Sequence, residues 1–228
     1  QVDTSATHIG DITSMVTARA YNKSFLFAAS GFDAGVTSYT VNSQGQTVQR
    51  QNVGPESGLG IAAPSDMATV MVGNDLYMLL VSSQTDSLTA FKISAYGRMR
   101  MMDHVFDDGD TYMQDVTAVE AVSANGRTFI LVGGAEDGLS LFELTPMTGK
   151  LKFMDSIADT GALSLQDVPD IGDVVLNDVI HLYVSSNADD GVAHFSLDLG
   201  VITAPVIGTK HADTLYGSAH NDLIMGMN

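Results

Sequence analysis

The sequence predicts an all-β protein, a β-propeller of four-stranded antiparallel blades with four blades in the chain. Three observations carry this: a unit of about 52 residues occurs four times, each unit divides into short apolar runs between turn residues, and no stretch sustains a helical period. The copies are clearest at Leu26-Phe27-Ala28-Ala29-Ser30, Leu79-Leu80-Val81-Ser82-Ser83, Ile130-Leu131-Val132-Gly133-Gly134 and Leu182-Tyr183-Val184-Ser185-Ser186. Each is followed by a run closing on an aromatic, and these aromatics, Tyr39, Phe91, Phe142 and Phe195, are spaced by 52, 51 and 53 residues. A repeat of this length built from short β-runs marks a propeller or a similar array.

The units run over about 11–64, 65–114, 115–166 and 167–207, together forming a blade region over 1–207. Pro55, Pro64, Pro169 and Pro205 fall at unit borders, where a residue without an N–H does least harm to a sheet. The second unit shows the expected strands best. An apolar-rich run over 66–72 leads through Asn74-Asp75 into a near-continuous apolar run over 76–82, then an alternating run over 88–93, and Tyr96-Gly97 turns into 99–106. Turns at Asn42-Ser43-Gln44-Gly45, Asn125-Gly126 and Thr148-Gly149 accept positive φ cheaply and predict hairpins, so each unit is a meander.

Composition narrows the function classes. The chain has 228 residues, 45% apolar and 16% charged, which is enough for a folded core. Acidic residues number 27 against 10 basic, a net charge of −17 that repels nucleic acid and attracts divalent cations. With no cysteine, a disulfide framework and a thiolate metal site are excluded. The longest wholly apolar run, over 76–81, is too short to span a membrane, so no membrane span is expected. Residues 1–10 lack a basic start and apolar core, so no signal peptide is visible, and the opening Gln1 suits a processed chain or a fragment.

Two stretches resemble known families. Gly138-Leu139-Ser140-Leu141-Phe142-Glu143-Leu144-Thr145-Pro146-Met147-Thr148-Gly149-Lys150-Leu151, with the similar Ser87-Leu88-Thr89-Ala90-Phe91-Lys92-Ile93-Ser94, resembles the blade motif of the lactonase-type propellers, the six-phosphogluconolactonase and muconate-cyclase group. That resemblance speaks to fold rather than activity. It implies a ring of seven blades, against four here, so closure is expected either within the chain or through a second chain that completes the ring.

Past Pro205 a nine-residue period begins. Gly208, Gly217 and Gly226 stand in phase, and Asp213 and Asp222 are each followed by apolar residues, a pattern that resembles the RTX, or hemolysin-type calcium-binding, nonapeptide. The resemblance covers 208–228 and implies calcium as cofactor, with Asp213, Asn221 and Asp222 as oxygen donors, and export by type I secretion from a bacterium. His211 and His220 stand where the motif has a glycine, and two copies are too few to stack into a complete site.

A second periodic element opens each unit: Asp11-Ile12, Asp66-Met67, Asp115-Val116 and Asp167-Val168. Asp11, Asp66, Asp115 and Asp167 are expected at equivalent entries of the innermost strands, where a carboxylate ring could hold a cation or where each could bond turn backbone. No catalytic set is assigned, since neither Gly-x-Ser-x-Gly nor His-Glu-x-x-His occurs. The sequence therefore leans towards a secreted, calcium-associated binding or structural module. The competing expectations are a lactonase-like hydrolase with a metal at the channel mouth, and a structural subunit of a cell-surface or multi-protein assembly.

Overall fold

The computed structural model describes residues 8–160, 163–189 and 191–198, together with 206–207 and 224–225. The first blade comprises β1 (Ile12–Ala20), β2 (Lys23–Ser30), β3 (Gly35–Val41) and β4 (Thr47–Val53). The second comprises β5 (Pro64–Val72), β6 (Asp75–Ser82), β7 (Ser87–Ile93) and β8 (Met99–Phe106), and the third β9 (Val116–Ala124), β10 (Arg127–Gly134), β11 (Gly138–Leu144) and β12 (Leu151–Ala158). The fourth contains β13 (Ile171–Leu176), β14 (Val179–Ser186) and β15 (Gly191–Asp198). Each sheet is an antiparallel meander in chain order, and a parallel pair, β16 (Val206–Ile207) and β17 (Ile224–Met225), stands apart from them.

Local chemistry explains the hairpins. The first two strands of blades 1, 3 and 4 are joined by Tyr21-Asn22, Asn125-Gly126 and Asn177-Asp178, and both residues of each pair have positive φ. That conformation matches the right-handed twist of the flanking strands and suits Asn, Asp and Gly best.

The second strands of the two middle blades alternate between their two neighbours. On β6, Leu76, Met78 and Leu80 join the first blade's Phe25, Phe27 and Ala29, while Tyr77, Leu79 and Val81 join Ile130, Val132 and Phe142 of the third. On β10, Phe129 and Leu131 turn the other way, to Ile180, Leu182 and Val184 of the fourth. Sheets that are buried on both faces read as continuous apolar runs rather than alternating ones, as β6 and β10 do.

Four blades are thus joined by three cores. The inner strands follow the same order, β1 against β5, β5 against β9 and β9 against β13. Among the described residues no apolar cluster joins the fourth blade to the first. The outward face of the fourth blade exposes Val174, Leu176, Tyr183 (45%) and Val192 (67%), and His181 and His194 stack there at 5.3 Å. On the first blade, Ile12 and Met15 are exposed along β1, whereas Ala28, Thr37 and Tyr39 on that side are buried.

No helix among the described residues is long and apolar enough to cross a membrane.

Candidate functional site

The inner strands are fastened to one another by a bond that recurs with the repeat. Thr13 Oγ1 donates to the carbonyl of Pro64 at 2.6 Å, Ser65 Oγ to that of Val116 at 2.6 Å, and Thr117 Oγ1 to that of Val168 at 2.6 Å. A hydroxyl is needed at each position because the acceptor belongs to the next blade. These three bonds define the true register of the inner strands.

That register corrects one expectation. Asp11, Asp115 and Asp167 are equivalent: each has positive φ, and its carbonyl accepts the N–H of Gly31, Ala135 and Asn187 respectively. The fourth member is not Asp66 but Ala63, with φ 48° and its carbonyl bonded by the N–H of Ser83. Asp tolerates the left-handed conformation better than most residues, which accounts for its recurrence. The four carboxylates of the expected ring therefore do not share equivalent places. Among the described residues, no group of three or more His, Asp or Glu is arranged to hold a metal ion. Asp213, Asn221 and Asp222 lie outside the described residues.

Asp66 instead occupies the third position of β5 and joins three blades. Its Oδ1 accepts from Ser14 Oγ at 3.0 Å on β1, and its Oδ2 accepts the N–H of Val119 at 3.1 Å on β9. Burial raises its pKa above the ordinary carboxylate value; hydrogen bonds from Val119, Met67 and Ser14 oppose this, while the charge of Asp170 adds to it.

Asp66 lies on the wall of an open cavity of about 350 Å³ where the four inner strands converge. Thr17 of β1, Thr69 of β5, Glu120 of β9 and Asp170 at the entry of β13 line it as well. Glu120 is the most perturbed group: burial pushes its pKa up to about 7, aided by Asp173, Asp66 and Asp170 and opposed by the N–H of Ala121. Asp173 is also raised, by burial. A carboxyl that titrates near neutrality can give or take a proton at physiological pH, and the assembled negative charge favours cationic ligands.

Glu120 and Asp173 escape a search for periodic residues. The positions one repeat away from Glu120 are Ala68 and Gly172, so nothing repeats. The available signal is a lone acid within the apolar run Ala118-Val119-Glu120-Ala121-Val122. Three further acidic residues serve loops between strands: Asp107 Oδ1 accepts from Thr111 Oγ1 and the N–H of Met113, while Glu136 and Asp189 accept the N–H of Gln114 and Gln166.

No family model matches the chain, and no curated protein matches it. Solved structures do. The periplasmic gluconolactonase of Pseudomonas aeruginosa aligns at TM-score 0.53 and 16% identity, over 81% of this chain and 53% of its own. An exo-β-1,3-galactanase of Phanerochaete chrysosporium aligns at 0.54 and 13%, over 81% and 46%. Sqt1 of Saccharomyces cerevisiae aligns at 0.56 and 9%, over 78% and 43%. The protein is a β-propeller by fold, with a lactonase among its structural neighbours. At these identities the likeness is one of fold alone, and the chain spans about half the length of the structures it matches.

Proposed function

We propose that the chain acts as a binding or structural module, a set of propeller blades that completes its ring with blades supplied from outside the described residues. One observation carries this: four blades share three cores, and the fourth blade turns Val174, Leu176, Tyr183 and Val192 to solvent where a neighbouring blade would pack. Contiguous exposed apolar side chains on a sheet that is buried on its other face mark an interaction surface. The test is solution mass across a concentration series. Association through this face, weakened by Val192→Glu, supports the module; a single-chain mass at every concentration, unchanged by Val192→Glu, overturns it.

The secreted, calcium-associated setting rests on the resemblance of 208–228 to the RTX nonapeptide, with Asp213, Asn221 and Asp222 as donors. A calcium titration of thermal stability tests it: a rise in Tm that disappears with Asp213→Asn and Asp222→Asn supports calcium binding, and an unchanged Tm counts against it.

A second reading is favoured by the cavity. Glu120, with a pKa of about 7 beside Asp66 and Asp170, is suited to general acid/base work in a lactonase-like hydrolase. Hydrolysis of a sugar lactone, reduced at least a hundredfold by Glu120→Gln, supports it. A rate equal to the uncatalysed one removes it.

A further inference from the structure

The outer rim treats its cations in two ways. Where the third blade meets the second, they are matched: Lys150 Nζ lies 2.9 Å from Asp103 Oδ1 on β8, and Lys92 Nζ lies 2.6 Å from Asp75 Oδ2 on β6. Where the second blade meets the first, the places 52 residues earlier hold different side chains: Arg98 stands for Lys150, Gln51 for Asp103, Lys23 for Asp75 and Arg50 for Met102. Both acids are thus replaced, one by an amide and one by a lysine, while a guanidinium replaces an apolar side chain. Among the described residues no carboxylate forms an ion pair with Lys23, Arg50 or Arg98.

The backbone around these cations is held from both blades. In the β7–β8 turn, Ser94 Oγ accepts the N–H of Tyr96 at 3.3 Å and of Arg98 at 3.1 Å. The carbonyl of Gly97 accepts from Ser38 Oγ on β3 at 2.7 Å, and Gln51 Oε1 on β4 accepts the N–H of Met99 at 2.7 Å. Gly97 has φ 78°, and a Cβ there would stand 3.0 Å from Arg50 Cγ, so glycine lets the turn rest on the stem of Arg50. Arg50 Nε donates to Thr40 Oγ1 at 2.8 Å, which fixes the guanidinium by one edge and leaves its terminal nitrogens as donors. Lys23 Nζ donates to the carbonyl of Ala95 at 2.8 Å and stands 5.1 Å from the centre of the Tyr96 ring.

Arg50, Tyr96 and Arg98, with Gln49, line an open cavity of about 430 Å³. Its walls carry two guanidinium groups and no carboxylate, and Tyr96 is 72% exposed, so its ring is available for contact. The chain has 27 acidic residues and only 10 basic ones, and three of the ten gather here, where like charges repel one another. An anion from outside relieves that repulsion. Guanidinium forks match the paired oxygens of carboxylate and phosphate, and an aromatic face beside them takes the flat side of a ring. The cavity has the size of a small-molecule site, about 300–1,000 Å³, and exceeds what a bare ion fills.

We propose that the cavity between the outer strand of the first blade and the β7–β8 turn of the second is a binding site for a small organic oxyanion, a ring-bearing carboxylate or phosphate. Arg50 and Arg98 take the oxyanion, Tyr96 takes the ring, and Lys23 adds positive charge behind Tyr96. Electrostatics and the ring contact together select an anion on an organic body over either part alone. The site lies on the outer rim, away from the acidic cavity of Asp66 and Glu120 and from the face of the fourth blade, so it stands whether or not further blades complete the ring.

Phenyl phosphate and benzoate are the probes, with phenol as the uncharged control and inorganic phosphate as the ringless one, and calorimetric titration of the full chain reads the affinity. The chain should bind one of the two organic anions saturably, with a Kd of about 1 mM or below and phenol weaker by about tenfold or more. The tighter of the two names the acid group of the ligand. Arg50→Gln and Arg98→Gln should each weaken binding about tenfold, the order of one charge-assisted hydrogen bond, with Tm unchanged. Tyr96→Ala should weaken the organic anion and leave inorganic phosphate as it was. Gln51→Asp offers Arg98 the carboxylate that Asp103 offers Lys150, and should weaken binding as far as Arg98→Gln does. Any of three results overturns the proposal: no saturation by either anion at about 10 mM, inorganic phosphate bound as tightly as phenyl phosphate, or affinity that Arg50→Gln and Arg98→Gln leave untouched.

Discussion

Asp66 accepts the amide hydrogen of Val119, so a single carboxylate on the second blade holds the backbone of the third while its other oxygen holds Ser14 of the first. Removing it strands a buried N–H and a hydroxyl, each costing about 1–3 kcal/mol when left unpaired. Asp66→Ala is expected to lower Tm by roughly 4–24 °C, from about 2–6 kcal/mol at about 2–4 °C per kcal/mol for a chain of this size. Asp66→Asn keeps an acceptor for Val119 without the buried charge and should retain most of the stability. Thermal denaturation of the two variants beside the parent checks the pair.

Glu120 gives the chain a pH dependence of definite sign. Its folded-state pKa of about 7 lies above the ordinary 4.5, so the folded chain keeps a proton that the unfolded chain releases between those values. Stability contributed at this site is therefore fully present below pH 4.5, falls as pH rises through the window, and is flat above about 7. Glu120→Gln removes that slope. The variant should match the parent at pH 4.5 and exceed it at pH 8 by about 1 kcal/mol, a discounted figure because the carboxylate keeps partial contact with water. Denaturant unfolding at the two pH values measures the difference, and a Gln variant that is less stable at pH 8 contradicts it.

The hydroxyl bonds between inner strands allow a test of independence. Thr13, Ser65 and Thr117 each donate to the carbonyl of the following blade, at Pro64, Val116 and Val168. Thr13→Val, Ser65→Ala and Thr117→Val should each cost about 1 kcal/mol. Because the sites share no partner, the Thr13→Val/Thr117→Val double variant should cost the sum within about 0.5 kcal/mol.

The blades are legible in the sequence because their signals are local. The aromatics Tyr39, Phe91 and Phe142 recur in third strands that are buried on both faces, and Asn125-Gly126 announces its own turn. The candidate site is less legible because its register depends on backbone conformation. Asp66-Met67 looks like Asp115-Val116, but the left-handed position that defines the set falls on Ala63, a residue with no conformational signature. Glu120 is hidden for the opposite reason: it is unique to one blade, and its raised pKa comes first from burial and then from Asp173, Asp66 and Asp170, far away in sequence.

Ala63 supplies a prediction of opposite direction. At φ 48° an alanine is strained by about 1–2 kcal/mol where glycine is not, and the other three blades place Asp there. Ala63→Gly, and to a smaller extent Ala63→Asp, should stabilise the chain by about 0.5–1 kcal/mol. A lower Tm for the glycine variant counts against the left-handed assignment.

A side chain in an inter-blade core and one on an open blade face differ in what their truncation costs. Phe129 is buried in the core between the third and fourth blades, whereas Val192 stands on the fourth blade's open side. Phe129→Ala should cost about 3–5 kcal/mol, the usual loss for emptying a large aromatic site. Val192→Ser should change the stability of the isolated chain by no more than about 0.5 kcal/mol. If the open face receives a further blade, the order reverses in the association measurement: Val192→Ser weakens it, because a hydroxyl then enters an apolar contact, while Phe129→Ala acts only through the stability of the chain itself. Unfolding and concentration-dependent mass on the same two variants separate a core residue from an interface residue, and equal effects of Val192→Ser and a remote surface change such as Gln44→Ser on association would remove the fourth blade's face from the interface.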